Sequence, residues 1–288
     1  MRERIDEQQW DEIIEPQGRF FDLRLKEVWR YRDLLLLFVK RDFAAQYKQT
    51  VLGPVWHLIQ PLFTTAVFVL VFNNIAGINT EGVHPVLFYM SGITIWNYFS
   101  ACLTATSSTF VANAGIFGKV YFPRLVIPLS TVLSNIIKFG IQFILLVAAM
   151  IFFGFKDGHF YISASWLLIP VLVLMMAGLG LGLGIIISSL TTKYRDFTVL
   201  IGFAVQLLMY ATPIAYPLSF LKNKSYAWLI SYNPLTPITE AFRYAFFNGA
   251  SGSLDTTGLV WSAGFIVITL FFGMLIFNKV ERSFMDTV

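Results

Sequence analysis

This 288-residue chain has one cysteine, three histidines and a share of charge far below that of an ordinary soluble domain. The lone Cys102 excludes an intramolecular disulfide and any cysteine-cluster metal site. His57, His84 and His159 stand apart, without H-x-x-x-H or a suitably spaced carboxylate, so neither a metal site nor a catalytic dyad is supported. No G-x-x-x-x-G-K-[ST] segment occurs, which excludes nucleotide binding through a P-loop. The first residues show no cationic start, short apolar stretch and small-residue cleavage site, so no removable signal peptide is expected. Charged residues make up 13% of the chain, where a soluble domain carries about a quarter.

What is present is apolar length. Apolar residues reach 56%, and uncharged runs of 32, 37, 35 and 25 positions follow Lys48, Glu81, Asp157 and Asp196. A helix needs about 20 apolar residues to cross the hydrocarbon, so the chain reads as an all-α integral membrane protein. Six spans are expected, at about 56 to 76, 86 to 110, 128 to 153, 166 to 190, 198 to 216 and 257 to 278. Both termini then lie on one side. That side holds sixteen Lys and Arg residues against four on the other, which makes it cytoplasmic by the positive-inside tendency. The net charge of +4 thus reports topology and gives no reason to expect nucleic-acid binding.

Residues 1–54 read as a polar cytoplasmic arm and an amphipathic interface helix, and residues 55–288 as the transmembrane domain. In the helix, Leu25, Val28, Trp29, Leu36, Val39 and Phe43 fall near one face between cationic residues, an interfacial pattern. A seventh crossing is excluded there because "LLLLFV" is only six residues between charges. The Gly53-Pro54 hinge turns this helix into the first span, with Trp56, His57 and Gln60 just beyond.

The fifth loop carries Pro213, Pro217, Pro234 and Pro237, too many for one helix, yet it is aromatic enough for an interface. Short re-entrant helices in the outer leaflet are expected. Pro234, Glu240 and Arg243 are its candidates for an external gate, with a simple interfacial cap as the alternative. "GLGLGLG", Gly178 to Gly184, supplies Gly178/Gly182 and Gly180/Gly184 for close helix packing.

Lys138 is the one strongly charged residue inside an expected span, and Thr131, Asn135, Lys138 and Gln142 share its helical face. That face should turn from lipid, as part of a pathway or as a lysine snorkelling with polar partners. Asn97, Ser100, Thr104 and Ser108 form a similar stripe, open to the same two readings of path or inter-helix hydrogen bonding. Among the many aromatics, Phe68, Phe72 and Tyr210 lie deep enough to stack on sugar rings, while belt residues need no such role. The segment from Gly115 to Ser130 holds Lys119, Val120, Tyr121, Phe122 and Arg124 and is too apolar for a turn, which suggests a short helix covered by a partner.

Four stretches in order, "RDFAAQYKQTVLGPVWHLIQPL", "FGKVYFPRLVIPLS", "TKYRDF" and "YNPLTPITEAFRYAFFNG", resemble the membrane subunits of type-2 ABC exporters, especially those for O-antigen, teichoic acid and related polysaccharides. The resemblance implies a channel between two copies of the chain in the bacterial inner membrane. It implies two separate P-loop ATPase subunits that bind ATP and Mg, with no cofactor on this chain. It also implies a lipid-linked polysaccharide as substrate, entering by Tyr47, Lys48 and Gln49, past Gln60 and the first and fifth spans. The Lys119 to Arg124 segment would be the coupling helix that receives the ATPase stroke. An exporter of small hydrophobic compounds shares this architecture. A secondary transporter would need intramembrane carboxylates, which the expected spans lack, and a membrane glycosyl- or acyltransferase would need a paired carboxylate or His-Asp constellation.

Overall fold

The computed structural model describes residues 25–48, 50–194, 196–221, 224–225 and 227–284. The arm expected over residues 1 to 21, together with Gln49, Arg195 and Lys222, lies outside them. The described residues are helical, without strands. Five stretches are long and apolar enough to cross a membrane: Gly53–Ile75, Pro85–Ser107, Val126–Asp157, Ala164–Thr191 and Thr256–Val280. These match five of the six expected spans within a few residues.

The chain starts with two helices, α1 (Leu25–Arg30) and α2 (Arg32–Tyr47). Their buried residues are Val28 and Phe38, with Tyr31, Leu34 and Leu35 packed beside them. Trp29 and Leu36, placed on the interfacial face, are 73% and 55% exposed. The contacts to the rest of the chain come from another side: α2 lies along the long helix α6 (Val126–Asp157) and docks Phe38 on Phe122, ring centroids 5.6 Å apart.

The first span begins with a 3₁₀ turn at Gly53–Val55, where Gly53 has a φ of +49° that favours glycine. It continues as α3 (Trp56–Phe68) and ends in a π-helical stretch, Val69–Ile75. The second span is α4 (Pro85–Ser107), which stops short of the expected residue 110. Its end is chemical. Ser107, Ser108 and Thr109 each donate their hydroxyl to the carbonyl three residues back, at 2.7, 3.1 and 2.7 Å, competing with the helical ladder. The groups released by the break are caught by the fourth span: Phe110 N–H donates to Ser188 Oγ at 3.3 Å, and Thr191 Oγ1 donates to the Ser107 carbonyl at 3.0 Å.

A short helix, α5 (Thr109–Phe117), follows the break, and residues 118–125 are turns leading into α6. The short helix expected between Gly115 and Ser130 therefore lies mostly earlier in the chain. At 32 residues α6 is about 48 Å long, well beyond the hydrocarbon thickness, and stops at Gly158 in the left-handed region. The fourth span joins a 3₁₀ turn at Ala164–Leu168 to α7 (Ile169–Thr191).

Helices α4 and α7 form the centre of the protomer. Buried residues make up 78% and 61% of their spans' most apolar windows, against 17% to 22% for the other three. The glycine pairs explain how α7 enters the centre. A Cβ on Gly180 or Gly184 would meet Cys102 or Thr106 of α4 at 2.8 and 2.6 Å, while one on Gly178 or Gly182 would meet Ile266 or Thr269 at 2.9 Å. The latter residues belong to α11 (Thr256–Phe284). The two pairs thus seat α7 between two neighbours, the packing role expected for them. Gly184→Leu is expected to cost about 3 kcal/mol by overpacking and to reduce monodisperse protein in detergent. Gly202→Leu, where a Cβ meets nothing within 4 Å, should leave the elution profile unchanged.

The expected span 198 to 216 is shorter than foreseen. Helix α8 (Phe197–Tyr210) has 14 residues and rises about 21 Å, less than the roughly 30 Å hydrocarbon core. Turns replace it from Ala211, and Pro213, with no N–H to give, cannot extend the ladder. A 3₁₀ turn (Leu218–Leu221), α9 (Ala227–Ser231) and α10 (Leu235–Phe246) lead to α11.

Candidate functional site

The two polar stripes meet. Asn97, Ser100 and Thr104 of α4 face Asn135, Lys138 and Gln142 of α6, and α3 adds His57, Gln60 and Thr64. Together they line a cavity of about 370 Å³ whose lining contains no aspartate or glutamate. Asn97 Nδ2 donates to Gln142 Oε1 at 3.2 Å, one direct tie between the stripes. The other stripe positions, Ser108 and Thr131, line an adjoining cavity of about 270 Å³ beneath Arg41, Asp42 and Gln46 of α2. Asn135 and Lys138 line both cavities, so a polar track runs from α2 in between α3, α4 and α6.

At the mouth of this track the expected entrance residues separate. Tyr47 stands edge-on to Phe43 and His57, with centroids 4.6 and 5.7 Å away, and burial raises its phenol pKa. Gln46 Nε2 lies 3.4 Å from His57 Nε2. Lys48 and Gln60 are exposed.

The deep aromatics do not act as a set. Phe68 is buried against Phe72 and Tyr89 at 5.2 and 6.1 Å, so within one protomer it packs and presents no free ring. Phe72 is half-buried, and Tyr210 is exposed at the end of α8. Of the three, only these two keep the accessible rings that were expected.

The expected coupling residues divide as well. Lys119, Val120 and Tyr121 are exposed, the latter two at 58% and 56%. Phe122 and Arg124 turn inward, Arg124 with its guanidinium 5.2 Å from the Phe117 ring centroid. The cation expected to meet a partner is thus a cation–π support beneath the turn.

Two residues of the fifth loop lie deeper than a loop position suggests. Glu240 and Arg243, expected at an external gate, are 3% and 0% exposed. Arg243 donates to the carbonyls of Pro213 and Ile214, the latter at 2.7 Å, lies 3.3 Å from Glu240 Oε1, and sits 3.9 Å over the Phe88 ring. Gly92 makes the room: a Cβ there would lie 2.7 Å from the guanidinium. The abrupt end of α8 strands backbone carbonyls deep in the structure, where an unpaired one is costly, and Arg243 satisfies two of them. Pro234 is half-buried and receives the Ser262 hydroxyl on its carbonyl at 2.8 Å.

Sequence reasoning missed Glu81, visible only as the lone charge between the first two spans. It holds a positive φ of 57° and accepts from Ser219 Oγ, Ser251 Oγ and Gly252 N–H at 2.6, 3.0 and 3.2 Å. Burial opposes its ionisation, but these donors and the Arg243 charge outweigh it and hold the carboxyl below the usual range. One carboxylate thereby ties its own loop to the segments around Ser219 and Ser251.

Comparison with known proteins places this arrangement. Residues 33–247 match the family model for the ABC-2 type transporter. An O-antigen export system permease protein RfbA of Klebsiella pneumoniae is 29% identical over 255 residues, 88% of this chain and 94% of that protein. Its namesake in Myxococcus xanthus is 26% identical over 267 residues, 92% of this chain and 98% of that protein. With three quarters of its length inside the family model and apolar helices suited to a membrane, the chain belongs to the ABC-2 type transporter family.

Proposed function

We propose that this chain is the permease subunit of an ATP-driven exporter that carries lipid-linked polysaccharide from the cytoplasmic face across the bacterial inner membrane. The observation that carries the reading is similarity to O-antigen export permeases of Klebsiella pneumoniae and Myxococcus xanthus over 88% to 92% of the chain. Two copies of the chain form the channel, and two P-loop ATPase subunits with ATP and Mg supply the work. Exposed apolar rows on α3 and its π-helical end (Phe63, Val67, Leu70) and on α8 (Val199, Phe203, Leu207) suit surfaces that face lipid or a second copy.

In this reading α8 completes a sixth crossing together with the α9–α10 re-entrant segment, and both termini are cytoplasmic. The polysaccharide approaches past Tyr47, Lys48 and Gln60, where hydroxyls meet polar groups before any bare hydrocarbon. The chain performs no covalent step. Deleting the gene should leave lipid-linked polysaccharide accumulating inside the cytoplasmic membrane while its synthesis continues, as measured by surface labelling against total extracted glycan. Loss of glycan assembly itself in membrane extracts would overturn the export reading in favour of an enzyme.

A further inference from the structure

We propose that the cavity between α3, α4 and α6 is a phosphate site, with Lys138 as its cation. The proposal rests on the export reading for the origin of its ligand. A lysine within the hydrocarbon zone is costly unless something offsets its charge. Among the described residues Lys138 has no ion-pair partner. The nearest candidate, Asp42 across the adjoining cavity, is already held by Arg41 at 2.7 Å. A half-buried cation within a span, in a cavity without a lining carboxylate, wants an anion from outside the chain.

The second observation is independent of charge. Asn135 is 2% exposed and lines both cavities, and its Nδ2 has no oxygen or nitrogen acceptor, its one side-chain contact being the Cys102 thiol, a weak acceptor. A buried amide donor left unpaired costs about 1 to 3 kcal/mol, and natural structures rarely keep one without a use. An ammonium and an amide N–H on adjacent turns of α6, three residues apart, present two donors to one group. His57 and Gln60 stand across the cavity on α3. In a lining whose other polar groups are amides, hydroxyls and an imidazole, which both donate and accept, Lys138 is the one donor-only and charged group, and with Asp42 engaged by Arg41 it favours an anionic oxygen over a neutral sugar hydroxyl. The phosphate comes either from the diphosphate of an isoprenyl-linked substrate or from a phospholipid headgroup, and both present the same chemistry.

The test uses the full chain in phosphatidylcholine nanodiscs, with native mass spectrometry counting retained molecules of a sugar-free isoprenyl diphosphate. Wild type should retain it, Lys138→Met should weaken binding about tenfold or more, and Lys138→Arg should restore most of it. Asn135→Asp keeps the side-chain volume and gives Lys138 a carboxylate partner, so the protein should fold and lose binding. Repeating the measurement with phosphatidylglycerol separates the sources. Retention of the diphosphate alone assigns the site to substrate, and equal Lys138-dependent retention of both assigns it to headgroups. Equal binding by wild type, Lys138→Met and Asn135→Asp would overturn the proposal. Because this assay needs no transport, a failed site with normal glycan export leaves the export reading standing. Lys138-dependent binding in a protein that exports no glycan keeps the site and rejects that reading.

Discussion

Replacing Arg243 with Met is expected to destabilise the protein by about 3 to 5 kcal/mol, the scale for leaving a buried charge without its partner. Three losses combine. Glu240, 3% exposed, keeps its carboxylate without a counter-charge. The carbonyls of Pro213 and Ile214 lose their donor at the point where α8 ends. The Phe88 ring loses the cation stacked 3.9 Å above it. Arg243→Lys should also fail, because one ammonium cannot reproduce a planar fork that serves two carbonyls and a carboxylate. Glu240→Gln should be milder, since the guanidinium keeps both carbonyls and the ring. The double change Glu240→Leu/Arg243→Met should recover part of the loss by removing the stranded charge. Thermal melting of detergent-extracted protein ranks the four variants, and a wild-type melting point for Arg243→Met would refute the clamp.

A charge placed at Val120 is expected to abolish export while leaving the protein folded. Val120 is 58% exposed on the turn after α5, so an aspartate there meets water and little else in the isolated protomer. In the proposed orientation this turn lies on the cytoplasmic face, where an apolar exposed residue suits a cleft on the ATPase. A desolvated carboxylate at the core of an interface costs at least 2 kcal/mol, a factor of about 30 in affinity. Val120→Asp should therefore lose stimulated ATP hydrolysis and surface glycan together at normal abundance. Arg124→Glu is the informative contrast. It places a carboxylate beside the Phe117 ring in a buried position and should lower abundance itself. If Val120→Asp exported normally, the turn would not be where the ATPase docks.

Much of the site was written in the sequence as single faces. Thr131, Asn135, Lys138 and Gln142 recur at helical spacing, and so do Asn97, Ser100 and Thr104. Spacing says that such residues share a side of one helix. It does not say which helix they face, so the choice between a path and inter-helix bonds stayed open. The structure shows the inter-helix bond, Asn97 to Gln142, and beside it a cavity around Lys138. Glu81 was illegible because its partners come from residues 138 to 171 positions away.

By itself the sequence determined that the chain is helical and apolar enough for a membrane, where five of its spans lie, and that Gly178 to Gly184 is a packing surface. Those properties depend on local composition and period, which a bilayer reads directly: about 20 apolar residues suffice whatever surrounds them. Only the tertiary structure decided what each polar or aromatic side chain meets. It docked Phe38 of α2 on Phe122, cut α4 at Ser108 by pairing the freed groups with α7, and turned Phe68, Arg124, Glu240 and Arg243 inward. A charged residue in a loop looks exposed in sequence because water is its cheapest partner. Arg243 is buried because α8 ends early and leaves carbonyls that need a donor, a demand created by helices distant in the chain.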